Sequence, residues 1–230
     1  MEDLSTIEIQ VLSKTYISKM KNRKSKGYFF FKRLFAIVVS FLMILVLSPI
    51  LLLFSILVKC TSKGPVLFKD IRIGKNGKHI KVYKFRSMYV DAETNPQKYL
   101  NREQMEAWKK ERKVENDPRI TRIGNFMRKT SIDELPQLFN ILFGQLAFVG
   151  PRPITTKEYG NYSVEEIQLL TSTRPGLTGY WQVYGRSNVT YSTGQRQKMD
   201  MEYFEKRSLA FDLKLILLTI PAVLKRRGAE

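Results

Sequence analysis

Cysteine and histidine are almost missing from this sequence. Cys60 is the only cysteine and His79 the only histidine. A lone cysteine excludes an intrachain disulfide and a Cys-cluster metal site, and it suits a reducing compartment. A lone histidine argues against Ser-His-Asp and Cys-His catalysis and against His-rich zinc sites. Acid is scarce too: 21 Asp and Glu face 39 Lys and Arg, a formal net charge of +18. Neither G-x-x-x-x-G-K-[ST] nor G-x-G-x-x-G occurs. Gly74-Lys75-Asn76-Gly77-Lys78 has the residue types of a phosphate loop without its spacing. Repeats and low-complexity segments are absent. By elimination, acid–base or nucleophilic chemistry falls mainly to carboxylates. The charge calls for an anionic partner: nucleic acid, anionic lipid or a phosphorylated small molecule.

What the sequence does have is one long apolar block, Leu34 to Val58, with basic residues on both sides. About 25 helical residues reach roughly 37 Å, enough to cross a bilayer. A simple spanning helix is the first expectation. Ser48-Pro49 near the middle counts against it, because proline removes a helical hydrogen bond and bends the helix. The flanks also give the positive-inside rule no preference. A broken helix that dips in and returns keeps both basic ends in the cytoplasm, with Ser48 able to satisfy a freed carbonyl. Residues 1–30 read as a basic extension, 31–59 as the membrane segment and 60–230 as a cytoplasmic domain. The apolar block is too long and starts too late for a signal peptide, and no A-x-A-like site follows it. Such a chain sits on an anionic membrane surface.

Past the membrane segment, residues 66–73 and 79–88 read as strands joined by a turn containing Asn76-Gly77, a hairpin signal. Residues 97–115 read as a surface helix with a thin apolar stripe. Asn116-Asp117-Pro118-Arg119 marks a turn. Ser163-Val164-Glu165-Glu166 matches a capping box, and Pro175-Gly176 suits a type II turn. Trp181 or Tyr184 could stack on a base, although aromatic residues more often pack in a core. Leu209 to Leu224 reads as an amphipathic helix lying in the membrane interface, with Asp212 and Lys214 on its polar side and Lys225, Arg226 and Arg227 after it.

Between these elements lies Thr130-Ser131-Ile132-Asp133-Glu134-Leu135-Pro136-Gln137. Two adjacent carboxylates stand where a helix is expected to begin. Arg119, Arg122, Arg128 and Lys129 precede them and Arg152 follows. Acids among bases suggest a site for phosphates and a metal ion. A plainer account also fits: Ser131 and Glu134 form a capping box, ahead of an apolar face of Leu135, Leu138, Phe139 and Leu142. Arg152 is held between Pro151 and Pro153, a stiff mount for a phosphate contact.

In combination and order these pieces resemble the monotopic phosphoglycosyl transferases, or bacterial sugar transferases. The resemblance runs from about Phe30 to about Thr219. It is carried by Ser48-Pro49, Lys84-Phe85-Arg86-Ser87-Met88, Asp117-Pro118-Arg119, Arg128 through Gln137, Gly150-Pro151-Arg152-Pro153 and the Pro175–Ser187 block. Asp70 departs from the family pattern as we know it.

The resemblance implies an α+β, mostly helical monotopic membrane protein with a re-entrant helix broken at Ser-Pro, a β-hairpin and interfacial helices. It implies transfer of a sugar 1-phosphate from a UDP-sugar to a polyprenyl phosphate, with release of UMP, at the start of surface polysaccharide assembly. Asp133 is then the nucleophile and Glu134 holds Mg²⁺ beside it. Arg86, Arg128 and Arg152, with Arg119, serve the phosphates. The residues suit that chemistry: a carboxylate at a helix N-terminus stays ionised and lies beside free N–H groups. Two other readings remain at this stage, a membrane-tethered nucleic-acid binder and a glycosyl transferase that releases UDP. No nucleic-acid motif supports the first.

Overall fold

The computed structural model describes residues 20, 24–111, 114–185 and 193–224. Most of residues 1–30, the Arg186-Ser187 pair and the basic triplet from Lys225 to Arg227 lie outside that range. The chain opens with helix α1 (Lys26–Thr61), started by Ser25, whose hydroxyl accepts the Tyr28 N–H. Among the described residues this is the one helix apolar and long enough to cross a membrane. Pro49 sits inside it. Proline at that position cannot bond the carbonyl of residue 45. The Ser48 hydroxyl donates to that Leu45 carbonyl instead, at 2.8 Å.

Both ends of α1 rest on the same body. Arg33 donates to the Ile141 and Leu142 carbonyls at 2.6 and 2.7 Å. Further along, in its last two turns, Phe54 and Val58 pack with Phe85 and Met127. Between these anchors one face is bare, with Phe41, Leu45, Val46 and Leu52 exposed.

The hairpin forms as expected. Strand β1 (Leu67–Ile73) pairs antiparallel with β2 (His79–Phe85), Ile73 opposite His79. Asn76 and Gly77 both take positive φ, 58° and 71°. That is the backbone their dipeptide favours. Asp70 bonds its neighbour Arg72 at 2.7 Å. Helix α2 (Arg102–Glu111) is the predicted surface helix. Helix α3 (Arg122–Thr130) is capped by Thr121, and α4 (Gln137–Leu142) follows after one 3-10 turn, Ile132–Glu134.

The second half holds β3 (Ala147–Val149), α5 (Val164–Leu170), β4 (Gly176–Thr178), α6 (Tyr180–Tyr184), α7 (Gln195–Lys206) and α8 (Leu209–Leu224). The Ser163–Glu166 capping box at α5 makes both its bonds. The Pro175-Gly176 turn does not form. Gly176 instead opens β4, which pairs in parallel with β3. Glycine is required there for close approach, since a Cβ would come 2.1 Å from the Gly150 nitrogen.

Helix α8 is two-sided. Leu215 is fully buried in a core with Leu169, Tyr203 and Phe204. Leu209, Leu213, Leu217 and Ile220 are exposed. Asp212, expected on the polar side, is buried. It accepts bonds from Lys32 and Tyr28 of α1 at 2.7 and 2.8 Å and from Tyr203 at 3.1 Å. A carboxylate facing the core needs such partners, and Lys32 joins α8 to α1.

Candidate active site

The backbone around the two carboxylates differs from the expected helix start. Ser131 adopts a left-handed conformation, φ 57°, and caps the C-terminus of α3. Its side chain makes no cap bond to the next element. The capping box with Glu134 is therefore absent. Asp133 and Glu134 lie on the 3-10 turn, and α4 begins only at Gln137, with Pro136 ahead of it. The buried face of α4 is accordingly Gln137, Leu138, Asn140 and Ile141, whereas Leu135, Phe139 and Leu142 are half-buried.

Glu134 reaches away from its own helix. Lys84, next to the end of β2, donates to its Oε1 at 2.9 Å. The Glu134 side chain remains 41% exposed. Asp133 is more enclosed. Burial raises its pKa to about 6, the Glu134 charge adds to the rise, and Lys84 and Arg128 oppose it. The expectation that a helix dipole keeps Asp133 ionised does not hold here, because the helix starts beyond it and burial dominates. Arg128, in the last turn of α3, donates from Nε to the Ser87 hydroxyl at 2.9 Å. Asp133, Glu134, Arg128 and Lys84 therefore form one cluster.

The other predicted arginines have separate settings. Arg86 is buried and donates from Nη2 to the Ser62 carbonyl and hydroxyl at 2.7 and 2.9 Å, at the end of α1. Arg119 forks onto Asp117, with contacts from 2.6 to 3.1 Å, and lies over the Trp108 ring. Its fork is occupied within the motif. Arg152 belongs to a second basic cluster. It donates to Glu158 at 2.8 Å, an acid that Arg72 and Arg196 also approach. Arg152 and Arg196 both lie over the Trp181 ring, with guanidinium-to-ring distances of 5.6 and 4.1 Å. Asp200 is buried beside them, bonded by Tyr162 at 2.8 Å. Burial raises its pKa to about 6. A cavity of about 700 Å³ opens along α7, lined by Asn161, Glu166, Lys198, Met201 and Glu202. None of the predicted site residues lines it.

Residues 27–226 match the family model described as bacterial sugar transferase. The chain belongs to the bacterial sugar transferase family. Among its relatives is the exopolysaccharide production protein ExoY of Rhizobium meliloti, 41% identical over 86% of this chain and 87% of the relative. The undecaprenyl-phosphate galactose phosphotransferase of Salmonella typhimurium is 39% identical over 87% of this chain but only 42% of its own length. A UDP-glucose:undecaprenyl-phosphate glucose-1-phosphate transferase from Klebsiella pneumoniae is 42% identical over 83% of this chain and 39% of its length. The chain thus spans most of ExoY and less than half of these two longer members.

Within this bacterial sugar transferase, sequence reasoning missed Lys84 as a site residue. It lies in the matched Lys84–Met88 motif, next to Phe85, which is buried against α1. Its partner Glu134 is 50 residues away, so spacing alone could not pair them. Among the described residues no group of three or more His, Cys, Asp or Glu gathers anywhere. Magnesium is commonly held by one or two carboxylates, with waters and substrate phosphates completing the shell. Asp133 and half-exposed Glu134 match that pattern.

Proposed function

We propose that this protein transfers a sugar 1-phosphate from a UDP-sugar to a polyprenyl phosphate, releasing UMP, as the first step of surface polysaccharide assembly. The observation that carries this reading is the placement of Asp133, half-buried between Lys84 and Arg128 on a body packed against the apolar helix α1. The names of the Salmonella and Klebsiella relatives support both substrates.

Asp133 attacks the β-phosphorus of the UDP-sugar. A phosphorus–oxygen bond to Asp133 forms, the phosphoanhydride bond to the α-phosphate breaks, and UMP leaves. An oxygen of the lipid phosphate then attacks the same phosphorus and displaces the Asp133 carboxylate. One phosphoanhydride replaces another, so no ATP is needed. Lys84 and Arg128 offset charge on the transferring group. Glu134 and Asp133 would hold Mg²⁺, which supplies charge neutralisation on the diphosphate. Arg86 and the Arg152–Trp181 cluster serve the remaining phosphates and the nucleotide.

Helix α1 is re-entrant in this reading, entering and leaving on the cytoplasmic face. A spanning helix leaves its ends on opposite sides of about 30 Å of hydrocarbon. Here Arg33 and Phe54 both contact one body, and Ser48 satisfies the carbonyl that Pro49 frees. The exposed stripe of α8 lies in the same interface.

The test is nucleotide release across a panel of UDP-sugars with undecaprenyl phosphate and Mg²⁺. With Mg²⁺ but no lipid acceptor, UMP release should stop at about one equivalent per enzyme, and continued release should require lipid acceptor and Mg²⁺ together. Asp133→Asn should lower turnover by about a thousandfold or more, because the covalent route loses its nucleophile. Release of UDP would instead assign direct sugar transfer, and full activity of Asp133→Asn would remove the nucleophile assignment.

A further inference from the structure

Strand β2 pairs with β1 along one edge only. On its other edge the partner is a single side chain. Asn140, at the middle of α4 and fully buried, accepts the Tyr83 N–H on Oδ1 at 2.9 Å. It donates from Nδ2 to the Lys81 carbonyl at 2.7 Å. A second Nδ2 bond goes to Gln145 Oε1. The backbone carbonyl of Asn140 accepts from Gln145 and Leu146 at 2.9 and 3.1 Å.

The two β2 groups are a carbonyl and an N–H two residues apart on one edge, the pattern a neighbouring strand would meet. One carboxamide replaces that strand, because its donor and acceptor sit on separate atoms and reach both groups at once, whereas a Ser or Thr hydroxyl carries both on one oxygen. Aspartate cannot donate to Lys81, leucine can do neither, and glutamine is one methylene too long for the same seat.

This contact joins the two halves of the catalytic cluster. Tyr83 precedes Lys84, and Asn140 lies on the short helix that continues from Glu134. A six-residue helix without a side-chain cap at its start is not self-supporting. The relative position of Lys84 and Glu134 therefore depends on what fastens α4 to β2.

We propose that Asn140 is a positioning residue: its amide fixes the register of α4 against β2 and so holds Lys84 beside the turn that carries Asp133 and Glu134. The proposal rests on the phosphoglycosyl transfer reading for its kinetic consequence, but not for its geometry.

The experiment uses the full chain in nanodiscs. Amide hydrogen exchange first reads the edge of β2. The Tyr83 amide should exchange as slowly as the amides paired with β1. A Tyr83 amide exchanging at the rate of an open edge overturns the proposal whatever the reaction. Turnover is then measured in a cycle of Asn140→Ala, Lys84→Met and the double variant. Asn140→Ala should lower kcat by about tenfold, and by less than about threefold when Lys84 is already methionine. Losses that multiply, or an Asn140→Ala enzyme with wild-type kcat, overturn it, because a merely structural asparagine would act independently of Lys84. Should Asn140→Ala fail to fold, Asn140→Ser takes its place in the cycle. Failure of the wild type to release UMP would sink the transfer reading alone, with the exchange measurement still deciding the role of Asn140.

Discussion

Asp200 and Asp133 show how burial sets charge in this molecule. Asp200 faces Tyr162, Arg196, Arg152 and Glu158, yet burial outweighs the arginines and lifts its pKa to about 6. A carboxyl whose folded pKa exceeds its unfolded value near 4 favours the protonated folded state. Its contribution to stability is fully present below about pH 4 and is lost as pH rises through about 6. Thermal unfolding should therefore show Asp200→Asn gaining stability relative to wild type at pH 7 and gaining least at pH 4. Equal gains at both pH values would contradict the raised pKa. The Tyr162 hydroxyl keeps an acceptor in that variant, so the comparison isolates charge.

The same residue scale shows why some assignments were legible and others were not. Asp133-Glu134 stood out because acids are rare in a chain of +18. Ser131 did not reveal its left-handed backbone, and Ser-x-x-Glu reads alike whether the serine ends one helix or begins the next. Arg119 and Arg152 were readable as basic motif residues. Their partners, Asp117 at two residues and Glu158 at six, became clear only in three dimensions.

Among the elements, the hairpin and the apolar helix were legible because each carries a local signal: Asn76-Gly77 for the turn, a long hydrophobic run for α1. The parallel pairing of β3 with β4 was not, since strands of three residues have no measurable periodicity. The interior of the contact between α1 and α3 gives a stability prediction. Met127 is fully buried among Phe54, Val58 and Phe85. Met127→Ala should cost about 2–5 kcal/mol, the range for emptying a core site, measured by denaturant unfolding in detergent. A loss under about 0.5 kcal/mol, typical of surface changes, would mean that this end of α1 is not seated on the body.

Taken whole, the protein offers its own topology probe. Cys60 is a free, exposed thiol in the last turn of α1. A membrane-impermeant maleimide added to inside-out vesicles should label it. In a Cys60→Ser background, Ser25→Cys at the other end of the helix should label from the same side. Labelling of the two positions from opposite sides would establish a spanning helix and end the re-entrant reading. The net charge gives a second expectation at this scale. Sedimentation with vesicles rich in anionic lipid should exceed that with zwitterionic lipid, and the difference should shrink as salt rises and screens the surface. Binding that ignores both lipid charge and salt would leave the basic excess without a membrane role.

Arg33 sits on α1, and its two bonds end on the carbonyls that close α4. On the function proposed above, the turn that carries Asp133 and Glu134 is thus mechanically in series with the lipid. Whatever sets the depth of α1 also loads the short helix behind Asp133 and Glu134. Bilayer thickness then becomes a kinetic variable: turnover in nanodiscs should pass through a maximum as acyl chains lengthen, and Arg33→Met should flatten that dependence by uncoupling the helix from the turn it braces.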